Sequence, residues 1–278
     1  MLARSGPCDP ARADESHAMT ESTFRAYPEF AGKVVVVTGG SAGIGRAIAS
    51  AFAQSGAKLV VAGRNSEAAS QVVAEIERDA GAQALAVRTD VGVPEQCDAL
   101  IDAAVKHFGA VDILVNNAAY FALIPLLDVS SADSLRFLDI NFRGPLFCGR
   151  ALARWAIATQ RPGVIVNVSS ISGARPAPGC GLYSATKAAL NSLTKSMALE
   201  WSPKGIRVNG VAPGHVDTEG VKQDFKTGRL DYEAMIRSIP AGRIANVADI
   251  ADIVLFLASD RSRHVAGATV TIDGGESL

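Results

Sequence analysis

The sequence predicts an α/β fold, a doubly wound parallel sheet of about seven strands with helices on both faces. Three observations carry this prediction. Short β-branched runs without polar alternation recur along the chain, as strands buried on both faces require. Segments of helical periodicity, several closed by glycine, separate them. The first apolar run leads directly into a glycine-dense turn that opens a helix.

In chain order, the first strand is Lys33 to Thr38, followed by a helix from Arg46 to Gln54 that Gly56 closes. A second strand, Lys58 to Ala62, precedes a helix from Ser66 to Asp79. Ala84 to Arg88 is the third strand, Pro94 to Phe108 the next helix, and Asp112 to Asn116 the fourth strand. A long helical pattern then runs from Ser131 to Thr159. Val164 to Val168 reads as the fifth strand, and a helix follows from Tyr183 to Trp201. Arg207 to Ala212 is the sixth strand, and Glu219 to Gly242 is polar and irregular. Asn246 caps a helix from Val247 to Ala258, and Thr269 to Ile272 is the last strand. No fixed-period repeat is visible.

Composition narrows the function classes. The chain has 278 residues, 48% of them apolar, and a net charge of −1. That balance favours neither nucleic acid nor an anionic membrane as partner. Cys8, Cys97, Cys148 and Cys180 are scattered and form no CxxC pair, which suggests free thiols in a reducing compartment. His17, His107, His215 and His264 are equally scattered, so no metal site is expected. No apolar run approaches the roughly 18 residues of a membrane span. Residues 1–30 lack the apolar core of a secretory signal and read as a disordered extension, in which Met19 is an alternative start. Residues 31–278 are expected to form one domain in the cytoplasm, with a polar lid over 219–240.

Two local patterns carry chemistry. In the turn after the first strand, Gly39, Ser41, Ala42, Gly43, Ile44 and Gly45 let the backbone approach a pyrophosphate closely. The N–H groups of the helix beyond then face the phosphate charge. The spacing is GxxxGxG, not the GxGxxG fingerprint. At the end of the second strand stands Gly63, where a carboxylate would hold the ribose of NAD. Arg64 follows, and an arginine there suits the 2′-phosphate of NADP.

The second pattern is Ser170 with Tyr183 and Lys187. The tyrosine and lysine stand four apart on one helix face. An ammonium beside a phenol favours the phenolate. That would bring a group whose free pKa is roughly 10 toward use as a base near neutrality. Taken alone, such a pair is more commonly a solvated surface pair, and only the surrounding motifs raise its significance.

From about Gly32 onward the chain resembles the classical short-chain dehydrogenases/reductases. Thr38-Gly39-x-x-x-Gly43-x-Gly45 is similar to that family's cofactor motif. Asn116-Asn117-Ala118-Ala119 is similar to its NNAG, with Ala119 in place of the usual glycine. Asn141, Ser170, Tyr183, Lys187 and the segment Pro213-Gly214-His215-Val216-Asp217-Thr218 match its remaining motifs.

The resemblance implies a Rossmann-type sheet in the order 3-2-1-4-5-6-7. It implies Tyr183 as acid/base, Lys187 as the residue that lowers its pKa and binds the nicotinamide ribose, and Ser170 as hydrogen-bond donor to the substrate oxygen. Asn141 would hold a water in a proton relay to Lys187. Asp90 and Val91 would contact adenine, Asn117 would lie near the adenosine ribose, and Val216 with Thr218 would hold the carboxamide. Tyr120 and Phe121 would wall the substrate pocket. A homotetramer, or a dimer, is implied as well, using the excess of apolar or small residues Ala185, Ala188, Ala189, Leu193, Met197 and Leu199.

The expected activity is NADP-dependent hydride transfer between nicotinamide and a small-molecule carbonyl or secondary alcohol. The alternatives are an NAD-dependent alcohol dehydrogenase and a non-catalytic dinucleotide-binding protein. The joint presence of Asn141, Ser170, Tyr183 and Lys187 argues against the last of these.

Overall fold

The computed structural model describes residues 27–227 and 231–278. Its centre is a parallel sheet of seven strands. In chain order these are β1 (Val34–Thr38), β2 (Lys58–Gly63), β3 (Ala84–Arg88), β4 (Ile113–Asn116), β5 (Gly163–Val168), β6 (Ile206–Pro213) and, last, β9 (Thr269–Ile272). Their order across the sheet is β3-β2-β1-β4-β5-β6-β9, the order expected from the sequence. The connecting helices are α1 (Gly43–Gln54), α2 (Ser66–Ala80), α3 (Pro94–Phe108), α4 (Ser131–Leu138), α5 (Gly144–Ala158) and α6 (Gly181–Trp201). After β6 come β7 (Val216–Asp217), α7 (Glu219–Lys226), α8 (Tyr232–Ser238), β8 (Ala245–Asn246) and α9 (Val247–Ala258).

The valine run of β1 shows why the strands carry no alternation. Val35 and Val37 face a core shared with Ile48 and Phe52 of α1 and Val254 and Leu255 of α9. Val34 and Val36 face the opposite core, with Leu100 and Ile101 of α3 and Leu152 of α5. Both faces are dry, so the strand is apolar throughout Val34 to Val37. Each such valine contributes about 1.5–3 kcal/mol of burial free energy.

Three differences from the sequence-based reading have physical causes. The helix expected from Ser131 to Thr159 is interrupted by a π-helical turn, Asp139–Arg143. Pro145 lacks an N–H, so the carbonyl of Asn141 has no α-helical donor, and the helix widens by a residue just before it.

The region expected to be irregular, Glu219 to Gly242, contains α7 and α8, and its flanks pair as β7 with β8. Its helices are hard to read because little of their surface is buried; Met235 is the buried residue of α8. Local signals still build them: the Asp231 side chain accepts from the Ala234 N–H, and Glu219 and Lys226 suit the helix dipole at opposite ends of α7.

Order also begins before the predicted boundary. Tyr27 and Phe30 are buried, and the Phe30 ring packs edge-on against Phe52 at 4.9 Å. Met19 and the rest of the predicted extension, 1–26, lie outside the described residues.

Two of the scattered cysteines are neighbours in space. Cys97 of α3 and Cys148 of α5 are both fully buried and share a hydrogen bond, which with burial holds the Cys148 thiol well above its ordinary pKa. Among the described residues no helix is long and apolar enough to cross a membrane.

Candidate active site

The carboxyl ends of β1, β4, β5 and β6 deliver the predicted residues to one edge of the sheet. At β1 the chain turns through Gly39, whose φ of +62° is left-handed. A Cβ on Gly39 would stand 2.9 Å from Cα of Ala118, and one on Gly45 would stand 2.2 Å from the Gly39 carbonyl. The turn is therefore closed backbone against backbone, with no room for a methyl group.

Asn117 braces it. Its Nδ2 donates to the carbonyls of Thr38 and Gly39, both at 3.0 Å, and its N–H donates to Thr38 Oγ1 at 3.1 Å. Thr38 Oγ1 also accepts from the Ala118 N–H at 3.1 Å. At Ala119, where the glycine is missing, no strain arises: among the described non-glycine residues only Gln160 has a positive φ.

α1 starts at Gly43 without a side-chain cap on Ala42. Its first N–H groups are thus left to face whatever occupies the turn. The methyl group of Thr218 lies 3.5 Å from the Cβ position of Gly43, so the segment after β6 meets the turn. Ser41 Oγ lies 3.3 Å from the Cβ position of Gly63, which brings the end of β2 to the same place. Arg64 follows there, exposed. Val216 is buried in β7.

Asp90 and Val91 lie after β3, on the far side of β2. The Asp90 carboxylate accepts from the Gly92 N–H at 2.9 Å, while the buried Val91 packs on Gly144.

The second group gathers over β5. Ser170 leaves the strand end, where its hydroxyl accepts from the Ser172 N–H at 3.1 Å and hydrogen-bonds Tyr183. Lys187 lies beneath, 2% exposed, its Nζ 2.8 Å from the Val168 carbonyl and 5.5 Å from the Tyr183 ring centre.

Burial dominates both ionisations. It pushes the Tyr183 phenol up to about 12, against the hydrogen bond from Ser170, and brings the Lys187 ammonium down to about 8. The expected lowering of the tyrosine by the lysine does not appear: the Ser170 hydrogen bond is what lowers the phenol, and desolvation outweighs it.

Asn141, which the resemblance implied would hold a water in a relay to Lys187, has its side chain bonded within the protein. Its Oδ1 accepts from the Tyr120 N–H at 2.7 Å, and its Nδ2 donates to the Tyr120 carbonyl at 2.9 Å and to Thr186 Oγ1 at 3.2 Å. The side chain is spent on clamping the β4–α4 loop to α6. Pro145 removes the α-helical donor to the Asn141 backbone carbonyl.

Sequence reasoning missed two supports. Asn116 donates to Asn167 Oδ1 and Asn167 donates to Thr194 Oγ1, each at 2.9 Å, tying β4, β5 and α6 in a buried polar chain. A polar residue inside an otherwise apolar strand was the available signal.

The other support is the C-terminal Glu276. Its carboxylate meets His215 Nδ1 at 2.6 Å and accepts the His215 N–H at 3.1 Å, while its carbonyl accepts from Arg175. Burial pushes its carboxyl up, but those hydrogen bonds win and hold it below the ordinary range. The partners are too distant in sequence for any local pattern to reveal them.

Residues 39–277 match the family model described as enoyl-(acyl carrier protein) reductase. The chain is 39% identical over 256 residues to the 3beta-hydroxysteroid dehydrogenase 1 of Eggerthella lenta, covering 91% of this chain and 96% of that one. It is 38% identical to the sorbitol dehydrogenase of Cereibacter sphaeroides, covering 88% and 97%. The crystal structure of a short-chain type dehydrogenase/reductase from Mycobacterium marinum superposes with a TM-score of 0.83 at 34% identity, over 89% of this chain and 96% of that one. Sheet order, motif positions and these relatives agree: the chain belongs to the short-chain dehydrogenase/reductase family, as an NAD(P)-dependent oxidoreductase acting on CH–OH groups.

Proposed function

We propose that the chain interconverts a secondary alcohol and a ketone with NADP(H) as the preferred cofactor, Tyr183 moving the proton. The observation that carries this is the grouping of Ser170, Tyr183 and a buried Lys187 at the sheet edge beside the glycine turn. The residues fit a dinucleotide. The turn leaves uncapped N–H groups at the start of α1. Lys187 has three N–H donors, and among the described residues its Nζ is hydrogen-bonded to Val168 alone, so donors remain for ribose hydroxyls. Gly39, Ser41, Ala42, Gly43, Ile44 and Gly45 would hold the pyrophosphate, Arg64 the 2′-phosphate, Asp90 and Val91 the adenine side, and Val216 and Thr218 the carboxamide. Asn117 acts by bracing the turn.

When bound, the nicotinamide supplies or accepts the hydride. Tyr183 gives its proton to the carbonyl oxygen in reduction and takes it back in oxidation. Ser170 donates to that oxygen as charge develops. Lys187 counters the negative charge on the phenolate, and Asn141 positions the loop over the site.

Burial keeps the phenol protonated far above neutrality, which suits reduction. Oxidation needs the phenolate and should accelerate from pH 7 to 10. Tyr183→Phe should lower kcat by about 10²- to 10⁴-fold with cofactor affinity retained, as read by NADPH fluorescence. Near-normal turnover in that variant would sink the assignment. For the cofactor, Arg64→Asp should shift the ratio of NADP to NAD efficiencies at least tenfold toward NAD. An unchanged ratio removes Arg64 from the argument.

The exposed faces of α5 and α6 support self-association. Leu199 is 80% exposed, with Ala185, Ala188 and Ile157 also at the surface. Sedimentation would read a tetramer or a dimer. The buried free thiols and neutral charge balance are consistent with a cytoplasmic setting.

A further inference from the structure

We infer that the substrate is an alicyclic or aryl-substituted secondary alcohol, or its ketone, with its apolar body against Phe121, and not an open-chain polyol. This rests on the activity proposed above. The Phe121 ring stands edge-on to the Tyr183 ring, centres 5.0 Å apart at 86°, and is 54% exposed. Its free face therefore lies beside the phenol that meets the substrate oxygen.

The ring is held there. Asn141 clamps both backbone groups of the preceding residue, Tyr120, whose own ring packs on Phe137 at 4.8 Å beneath the Arg136 guanidinium. Beyond Phe121, the Ile124 N–H donates to the Gly179 carbonyl at 2.8 Å, closing the loop onto the chain that leads to Tyr183. Leu126 seats against Gly181, where a Cβ would stand 2.5 Å from its Cδ2.

Both walls next to the phenol are poor in hydrogen-bonding side chains. From Ala119 to Leu127 the polar side chain is Tyr120, and its ring faces Arg136. From Ala174 to Leu182 the charged residue is Arg175, already bonded to the Glu276 carbonyl. A polyol brought here would surrender water at several hydroxyls with few replacements, a penalty that a hydrocarbon ring escapes.

The test is a comparison of kcat/KM with NADP for cyclohexanol, 1-phenylethanol, 2-butanol and sorbitol, in the wild type, Phe121→Ala and Phe121→Leu. The expected order places the two ring alcohols at least tenfold above sorbitol. Phe121→Ala should lower the cyclohexanol-to-2-butanol efficiency ratio at least tenfold, and Phe121→Leu should recover part of it. Sorbitol as the better substrate overturns the inference. So does a Phe121→Ala variant that loses both alcohols in equal proportion, since the ring would then serve only to hold Tyr183. NADPH fluorescence separates these results from failure of the activity itself: a wild type that binds cofactor but oxidises none of the four alcohols and reduces none of their ketones overturns the reaction assignment, and the specificity with it.

Discussion

The two sides of this site are built from different materials. The turn from Gly39 to Gly45 is backbone packed on backbone, with Asn117 and Thr38 satisfying its polar groups. The wall from Phe121 to Leu127 is made of side chains on a loop, much of it exposed: Leu126 is 68% and Leu127 100% accessible. The first has almost no tolerance for change, because a misplaced atom meets another backbone. The second can be rewritten residue by residue, because little rests on it. A shared cofactor and a variable substrate call for this division.

The sharpest way to break the comparison is Gly45→Ala. Its methyl would collide with the Gly39 carbonyl and Asn117 Nδ2, at 2.2 and 2.4 Å. The expected loss is about 3 kcal/mol of stability and at least a tenfold rise in the Kd for NADPH, read by denaturant melts and fluorescence titration. Wild-type affinity in this variant would mean that the turn is looser than its geometry.

Lys187→Met probes the boundary between the two sides. The buried ammonium titrates near pH 8, against about 10.5 for an unfolded lysine. The unfolded chain therefore holds the extra proton between those values, so wild-type stability rises with pH across that window. Below pH 8 the desolvation cost is present in full, on the order of 3 kcal/mol. Part of the gain from removing it is offset by the Val168 carbonyl left unpaired. Lys187→Met should be inactive yet melt at or above the wild-type temperature at pH 7, with its relative advantage shrinking toward pH 10. A destabilisation that does not vary with pH would refute the buried charge as the cause.

The smallest effect belongs to the loop. Leu127→Ser should change stability by less than about 0.5 kcal/mol, since the side chain is fully accessible. A larger loss, seen only at high protein concentration, would reveal that a second copy covers this surface.

The strands, the glycine turn and the Tyr183–Lys187 spacing could be read directly because each is a local pattern with one physical solution. A β-branched run buried on both faces must be a central strand, and glycines at a strand end must make a close turn. Positions four apart on a helix must share a face. The order of the seven strands followed from the family resemblance. The break at Asn141 was legible in principle, since Pro145 is visible, but a helical pattern on either side hid it. The helices of 219–238 were hidden because they bury too little to impose a period.

Other features depended on contacts between residues far apart in the chain. No spacing could say that Glu276 reaches His215 and Arg175, that Cys97 meets Cys148, or that Asn141 spends its side chain on Tyr120. The ionisation of Tyr183 is of the same kind. A neighbouring lysine argues for a low pKa, yet the depth of burial, which belongs to the folded chain alone, raises it to about 12. Local sequence specifies backbone conformation and which groups are near in the chain. Solvation and long-range contacts exist only once the sheet has assembled, and here they set the charge state of the tyrosine and the apolar wall beside it.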